Sequence, residues 1–447
     1  MNKSTLAMAV AVGVLAQQAG AAGFIEDSKA TLGLRNFYIN QDFRDGNANP
    51  NKNEEWGQGF DLRFISGYTQ GTVGFGIDAI GLLGVKLDSG GGTNGATATS
   101  YGGTVFPSKS NGEAVDDFSS LGLTAKAKIS QTELKLGTLQ PKLPVIVTND
   151  GRLLPQTWQG GQLSSNDIKD LTLIGGQIEQ VKGRNSSNNQ QMSIAGANSR
   201  AATGRDSNKF YYAGGDYKIT KDLTAQYYYG NLEEFYQQHF VGLLHNWAIG
   251  PGVLKSDFRY FNSSDDGANG HDPLYYSTGN YNAPSGKGKV DNNLYSGLFL
   301  YSVAGHTFGG GYQVSNGSSD FPWLNQGDGS SAYIITDSQI QKFARAGEKT
   351  WQARYSFDFA KVGVPGLTAG MVYLHGDDID TSNAKGGVAA NGASEWERDL
   401  NVAYVVQEGP LKNLGLAWKN AMWRTDLPNT RSQDENRLIL SYSIPLL

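Results

Sequence analysis

The feature that most constrains this sequence is a strict alternation of apolar and polar residues, which is clearest in "EKTWQARYSFDF", residues 348–359. Successive side chains of an extended chain point to opposite sides, so Trp351, Tyr355 and Phe357 share one face. Arg354 and Asp358 lie on the other face. A strand with one apolar face and one charged face must border two different surroundings, and the charged side must be wet.

The same alternation recurs along the chain. In "LGLTAKAKI", residues 121–129, Leu121 and Leu123 oppose Lys126 and Lys128. Other segments alternate in the same way, among them "TVGFGIDAIGLLGVKL" and "LKSDFRYF". The pattern therefore predicts many strands that share one apolar and one wet side.

The connections between these segments are of two lengths. Short connections lie at 67–71, 130–131, 220–222, 249–252, 304–306, 361–366 and 408–413. Long polar connections lie near 40–55, 88–119, 179–208, 262–291, 316–347, 378–395 and 425–433, with a shorter one near 232–236. Outer-membrane β-barrels have short turns at one end and long loops at the other, whereas a soluble sandwich has uniformly short connections.

Strict up-and-down order requires one strand more than the clearest segments supply. Residues 156–164, "QTWQGGQLS", can form it, with "SNDIK" as a short turn to the next strand. The sequence then predicts an all-β fold, a transmembrane antiparallel β-barrel of about 18 strands with inward-folded constriction loops.

Residues 1–21 have the pattern of an export signal, which is removed after translocation. Lys3 provides the positive start, Leu6–Ala16 the apolar segment, and Ala19 and Ala21 the small residues of a cleavage site. Residues 22–447 are predicted to form a single barrel domain. They contain no window of 18 or more predominantly apolar residues, so the sequence offers no transmembrane helix.

Composition argues against several other kinds of protein. The chain has no cysteine, which excludes disulfides and thiolate metal sites. Its net charge of −5 gives no basic surface for nucleic acid. The histidines have no metal-binding spacing and no G-x-S-x-G motif is present, so we expect no metal, no cofactor and no catalytic site.

Charged residues collect on the predicted lumen side of the strands. The basic ones are Arg35, Arg63, Lys86, Lys126, Lys128, Lys135, Lys255, Arg259, Arg354 and Lys419. The acidic ones are Asp61, Asp78, Asp257 and Asp358, which also face the lumen and are expected to oppose the cations across the pore. Fixed cations in a constriction attract carboxylates and stabilise them as they lose water. The excess of cations favours an anion path, while the alternative, a wide barrel with an ordinary mixed-charge wall, stays open.

A proline-rich segment, residues 140–155, "QPKLPVIVTNDGRLLP", interrupts this pattern. Three prolines and an apolar centre are unusual for a free extracellular loop and fit a stiff segment folded into the pore. Arg152 would then lie near the narrowest point. The alternative is a loop packed outside the pore.

Several long motifs resemble one family. "GFIEDSKATLGLRNFYIN", "SGYTQGTVGFGIDAIGLLGVKLD", "GEKTWQARY", "GVPGLT" and "YVVQEGP" occur in order from Gly23 towards the C-terminus. They resemble the OprD family of substrate-selective outer-membrane porins, also called outer-membrane carboxylate channels. The resemblance implies a passive diffusion channel of 18 strands, narrowed by two inward loops at 140–155 and 316–347. It also implies a ladder of basic residues: Arg35, Arg152 and Arg354 lie within matched motifs, and Lys419 occupies a position where the family's channels for basic amino acids commonly carry arginine.

The resemblance also bears on the substrate. Val372, Ala403 and Ala417 stand where the branch of the family that passes basic amino acids tends to carry Arg or Lys. Because no Asp-rich pocket for a cationic group is evident, we expect small, often cyclic or aromatic, monocarboxylates. Basic amino acids and small peptides are the alternative.

The resemblance places the chain in the outer membrane of a Gram-negative bacterium. Its expected partners are a small carboxylate substrate, outer-membrane lipid and lipopolysaccharide, and the chain is expected to be a monomer or a loose homo-oligomer. A barrel enzyme and a structural or adhesive barrel are rival hypotheses; the first lacks a Ser-His-acid signature in the sequence.

Overall fold

A computed structural model describes residues 23–44, 51–89, 104–194, 206–267, 290–325, 331–381, 391–428 and 430–447. The predicted export signal lies outside the described residues, as do parts of most of the long connections. No helix within the described ranges is long and apolar enough to cross a membrane.

Eighteen long strands follow one another in the described chain. They are β1 (Lys29–Phe43), β2 (Lys52–Ile65), β3 (Gly74–Asp88), β4 (Asp117–Ile129), β5 (Thr132–Leu139), β6 (Thr157–Ser165), β7 (Leu171–Lys182), β8 (Phe210–Lys218), β9 (Leu223–Leu232), β10 (Tyr236–Ile249), β11 (Gly252–Asp265), β12 (Asp291–Val303), β13 (His306–Gly317), β14 (Lys349–Asp358), β15 (Leu367–Asp380), β16 (Asn391–Val405), β17 (Gly415–Thr425) and β18 (Gln433–Pro445). The strand β6 confirms the additional strand predicted from "QTWQGGQLS".

Each strand pairs antiparallel with the next, and the last pairs with the first. The closing register runs from Thr31 opposite Pro445 to Phe43 opposite Gln433. The barrel therefore has no free sheet edge, and its backbone N–H and C=O groups are paired between strands, as a membrane-spanning sheet requires. The predicted closed barrel of about 18 strands is confirmed.

The outer face of the barrel carries the apolar row of each strand. Trp351 and Tyr355 of β14 are 44% and 39% exposed, whereas Gln352 between them is 3% exposed and points inward. Trp351 lies 5.3 Å from Tyr373, and Tyr373 lies 5.9 Å from Trp396, measured between ring centroids. These rings form part of an aromatic girdle near the end of the barrel that carries the long connections.

The opposite end of the barrel has tight turns. β4 and β5 are joined by Ser130 and Gln131, and β12 and β13 by Ala304 and Gly305, whose φ angles of 50° and 86° suit a two-residue hairpin turn. Asp167, at this same end, accepts hydrogen bonds from the Ser130 and Thr132 hydroxyls, which lowers its pKa to about 2. By the usual orientation of such barrels, this end faces the periplasm.

Part of the lumen is filled by an apolar cluster. On the side of β6 to β12, inward aromatic residues such as Tyr228, Phe240 and Phe261 are 2% exposed or less. Loop residues pack against them, among them Ile146 from residues 140–156 and Ile334 from residues 318–348. One side of the barrel interior is therefore a packed core. The path for water and solutes lies on the other side.

The glycine at position 137 offers a test of the barrel geometry. Gly137 has φ +133°, and a Cβ there would lie 2.1 Å from the Leu123 carbonyl oxygen of β4. We expect Gly137→Ala to lower the free energy of unfolding by about 1–3 kcal/mol. The alanine would have a strained backbone angle, and its Cβ would clash with the Leu123 carbonyl oxygen. Urea unfolding of the folded barrel in detergent, followed by its heat-modifiable gel mobility, measures this change.

A matched control is Gly310→Ala on the outer face of β13. A Cβ at Gly310 would meet no atom within 4 Å. Equal losses for the two variants would contradict the geometric explanation.

Candidate functional site

The first inward loop, residues 140–156, is held against the wall where the barrel closes. Arg35 of β1 donates from Nη1 to Asp150 Oδ1 at 2.7 Å and to the Arg152 carbonyl oxygen at 2.7 Å. On the loop's other flank, Trp158 Nε1 donates to Thr148 Oγ1 at 3.1 Å. The prediction that the proline-rich segment 140–155 folds into the lumen is confirmed by these contacts.

The second inward loop, described at residues 318–325 and 331–348, contacts several strands of the lumen wall. Gln313 of β13 donates from Nε2 to the Phe343 carbonyl oxygen at 2.8 Å. Arg354 of β14 donates from Nη2 to the Ile335 carbonyl oxygen at 2.6 Å. Thus loop carbonyls take up part of the hydrogen-bonding capacity of the basic wall.

Wall carboxylates of β16 hold the same loop through its backbone N–H groups. Glu397 accepts from Ile340 N at 2.9 Å and from Gln341 N at 2.8 Å. Asp399 accepts from Gln339 N at 3.2 Å and from the Ser338 hydroxyl. Glu397 accepts through both oxygens and Asp399 through Oδ2, so these two acids anchor the loop.

Glu435 of β18 joins both inward loops at one point of the wall. Its side chain is 1% exposed and accepts from Gln339 Nε2 of the second loop at 3.1 Å and from Gln41 Nε2 of β1 at 2.8 Å. Arg152 of the first loop lies 3.8 Å away, Nη2 to Oε2, and Arg437 donates from Nε to Glu435 Oε1 at 2.5 Å. One buried carboxylate therefore fixes the two loops relative to each other.

Three of the predicted path cations are already paired with predicted acids. Arg63 binds Asp61 at 2.7 Å, Arg259 binds Asp257 at 2.5 Å, and Lys126 binds Asp78 at 2.7 Å. The first two pairs are two residues apart on one strand and so share a face. These acids therefore lie beside the cations, and do not oppose them across the pore as the sequence analysis expected.

Two other predicted residues lie near the periplasmic turns. Lys128 is exposed, and its Nζ lies 5.8 Å from the ring centroid of Tyr68 in the turn between β2 and β3. Asp358 accepts from Ala360 N at 3.0 Å and caps the short 3-10 helix Phe359–Val362. Both are thus separated from the residues that hold the inward loops.

Four further predicted cations surround the two loops. Arg35 and Arg354 bind loop groups as described above, and Arg152 is 9% exposed beside Glu435. Lys419 of β17 is half-buried and stands directly opposite Arg437 in the strand register. Within the part of the chain that the structure describes, Lys419 makes no hydrogen bond and no ion pair.

Sequence reasoning missed several residues at these loops. Arg437, Glu435, Glu397 and Asp399 alternate with the lipid-facing residues of β16 and β18, so strand parity would have identified them as lumen residues. Lys142, inside the first loop, is exposed and lines a cavity of about 410 Å³ with Arg63, Lys135, Asp78 and Asp150. Its side-chain direction depends on a local two-residue pairing that the sequence pattern does not show.

The chain and its closed barrel match known proteins. Residues 22–446 match the family described as "outer membrane porin, OprD family". The chain belongs to this family. It is 38% identical to "Porin-like protein GalP" of Pseudomonas putida over 431 residues, which is 96% of this chain and 95% of the relative.

Solved structures of Pseudomonas aeruginosa channels are also similar. OccK8 (OprE) is 60% identical, with a TM-score of 0.85, and the match covers 95% of this chain and all of that one. OpdK, solved with vanillate, is 35% identical with a TM-score of 0.80 over the same shares of the two chains. The protein is therefore an outer-membrane porin of a Gram-negative bacterium that passes small solutes, and it is not an enzyme.

The position of Glu435 predicts a change in channel gating. In Glu435→Gln the negative charge that holds Arg152 and Arg437 is lost, so we expect both loops to move more freely. Partial closures in single-channel recordings should become about fivefold more frequent or more, which corresponds to a shift of about 1 kcal/mol in the loop equilibrium.

The control for this experiment is Asp61→Asn, which removes one lumen carboxylate that binds Arg63 on the wall. It changes the lumen charge equally without loosening a loop. If both variants close equally often, lumen charge alone explains the effect and Glu435 does not join the loops.

A second prediction concerns pH. Burial raises the pKa of Glu348, at the end of the second loop, well above its usual value, and the neighbouring Glu395 raises it further, with Arg345 acting in the opposite direction. A raised pKa means that the protonated form is favoured in the folded loop, so its stabilising effect is present at low pH and is lost as pH rises through the folded value.

We therefore expect loop closures to become more frequent as pH rises above the ordinary carboxyl range. Glu348→Gln mimics the protonated group and should give a record that no longer changes with pH. Single-channel recordings at stepped pH test this. A variant whose closures depend on pH as strongly as those of the wild type would contradict it.

Proposed function

We propose that this porin passes small carboxylate-bearing solutes, with a preference for cyclic or aromatic monocarboxylates. The observation that carries the proposal is Lys419, a lumen cation without a partner beside the two inward loops. An ammonium group that makes no ion pair or hydrogen bond can bind a passing anion without first breaking an internal contact. Arg35, Arg152 and Arg354 add positive potential around it.

The engaged carboxylates support the preference over basic amino acids. Glu397 and Asp399 accept loop N–H groups, and Glu435 accepts from Gln339 of the second loop and forms an ion pair with Arg152 of the first. A substrate ammonium group would have to compete with these donors. A monocarboxylate needs only the cationic side of the path.

An apolar surface beside the cations also favours cyclic or aromatic monocarboxylates. Val372 lies beside Arg354 in the register, at the edge of a small apolar cluster with Leu374 and Trp423. An apolar ring can pass such a surface with little loss of hydration. The solved relative OpdK with vanillate, an aromatic carboxylate, is consistent with the same solute class.

Transport on this proposal needs no chemistry. The solute carboxylate enters from outside, meets the cations at the inward loops, and leaves towards the periplasm down its gradient. Binding must be weak enough to allow release. Single-channel currents in planar bilayers, titrated separately with benzoate, arginine and glucose, test the proposal. Saturable block by benzoate alone supports it, and block by arginine alone would assign the channel to basic amino acids.

The role of Lys419 has its own prediction. Lys419→Gln should weaken benzoate block by about tenfold, because a charge-assisted hydrogen bond of roughly 1.5 kcal/mol is lost. Permeation of glucose should stay unchanged. Lys361→Gln, which removes the same charge in a periplasmic turn, serves as the control, and an equal loss in both variants would refute a specific role for Lys419.

A further inference from the structure

The outer face of the barrel carries an unusual polar patch where the last strands meet the first. We define it by Arg398 of β16, Asn420 of β17, Asn436 of β18, and Asn36 and Gln58 of β1 and β2. The loop contacts of Glu397, Asp399, Glu435 and Arg35 show that the neighbouring residues on β16, β18 and β1 point inward, and the register carries the same parity to β17 and β2. Strand parity therefore places all five on the side that faces lipid.

Hydrogen bonds order the patch in two sets, one on β16 to β18 and one on β1 and β2. Arg398 donates to the Asn420 side-chain oxygen, and Asn420 Nδ2 donates to Asn436 Oδ1 at 3.0 Å. Asn36 Nδ2 donates to Gln58 Oε1 at 3.2 Å, and Trp56 Nε1 donates to Asn36 Oδ1 at 2.8 Å. The side chains thus form ordered polar groups on a surface that is otherwise apolar.

Its height on the barrel follows from the strand register. Arg398 stands opposite Tyr373, and Trp396, two residues closer to the long loops, stacks on Tyr373 at 5.9 Å. On the periplasmic side of Arg398 the outward residues are Leu400 and Val402, the latter 39% exposed. Arg398 therefore lies at the extracellular aromatic girdle, where outer-leaflet headgroups meet hydrocarbon.

The charge of Arg398 is not compensated by the protein. Its hydrogen bond to Asn420 is its one polar contact within the described part of the chain, and its Nε is shielded from solvent without a partner. By contrast, Arg424 of β17 binds Asp434 at 2.6 Å. It stands opposite Trp396 and so lies two residues nearer the long loops than Arg398. A lipid-facing guanidinium without a counter-charge is costly, so it calls for an anionic ligand.

We infer that this patch binds a phosphate group of lipid A, the anchor of the lipopolysaccharide that forms the outer leaflet. The guanidinium of Arg398 supplies the charge, and the amides of Asn420 and Asn436 fix its direction. Arginine suits phosphate because its planar donors can bind two oxygens at once. A two-fold contact between copies of this chain fits less well, since it would bring the Arg398 residues of both copies together.

The test is binding of lipid A to the full-length folded barrel in detergent, measured by native mass spectrometry. The probes are bisphosphorylated lipid A and the same lipid with both phosphates removed. We expect the phosphorylated form to bind about tenfold more tightly, and Arg398→Gln to abolish that difference. The control Arg424→Gln, whose arginine is paired in the wild type, should keep it. Arg398→Lys should keep part of it.

Three results would overturn the inference. They are equal binding of the two lipids by the wild type, an undiminished preference in R398Q, or a lipid-free dimer that disappears in R398Q. If R398Q does not fold, as shown by its heat-modifiable mobility, Asn420→Ala takes its place, because it removes the group that orients the same guanidinium. A preference unchanged in N420A would then count against the site.

Discussion

A strand that crosses a membrane has no water to satisfy its backbone, so each N–H and C=O must be paired within the protein. The eighteen strands meet this requirement by closing on themselves through β1 and β18. Closure also fixes which side chains face lipid and which face the lumen, since the sheet cannot slip by one residue without reversing every side chain. The pore wall, the girdle and the outer polar patch all follow from that single register.

The lumen wall has two parts that differ in their inward side chains. The arc from β6 to β12 presents aromatic residues that form a core with both inward loops. The arc from β13 to β18 and β1 presents charges. There the carboxylates hold the second loop by its backbone, and the first loop is tied to the same wall through Arg35 and Glu435. Both oxygens of Glu397 and Glu435 and one oxygen of Asp399 thereby bind donors within the protein, and the cationic character of the path remains.

The sequence predicted the barrel well because its evidence is local. Alternation within each strand, the parity that required residues 156–164 to be a strand, and the prolines of 140–155 are all visible without knowledge of distant contacts. The ion pairs of Asp61 with Arg63 and Asp257 with Arg259 were equally local and could have been recognised from their spacing of two. The loop partners of Glu435 could not, because Arg152 and Gln339 are brought to it by loop paths that no periodicity records, whereas Gln41 stands opposite it in the register that closes the barrel. Whether Lys419 keeps a free ammonium group depends on those same contacts.

The aromatic arc has a consequence for attempts to widen this channel by shortening its loops. Tyr228, Phe240 and Phe261 are shielded by Ile146, Ile334 and their neighbours, which belong to the loops themselves. Removal of a loop would leave part of the inner wall hydrophobic and in contact with water. The loops therefore serve as the interior lining of half the barrel, and a larger pore would require the wall of β9 to β11 to be made polar at the same time.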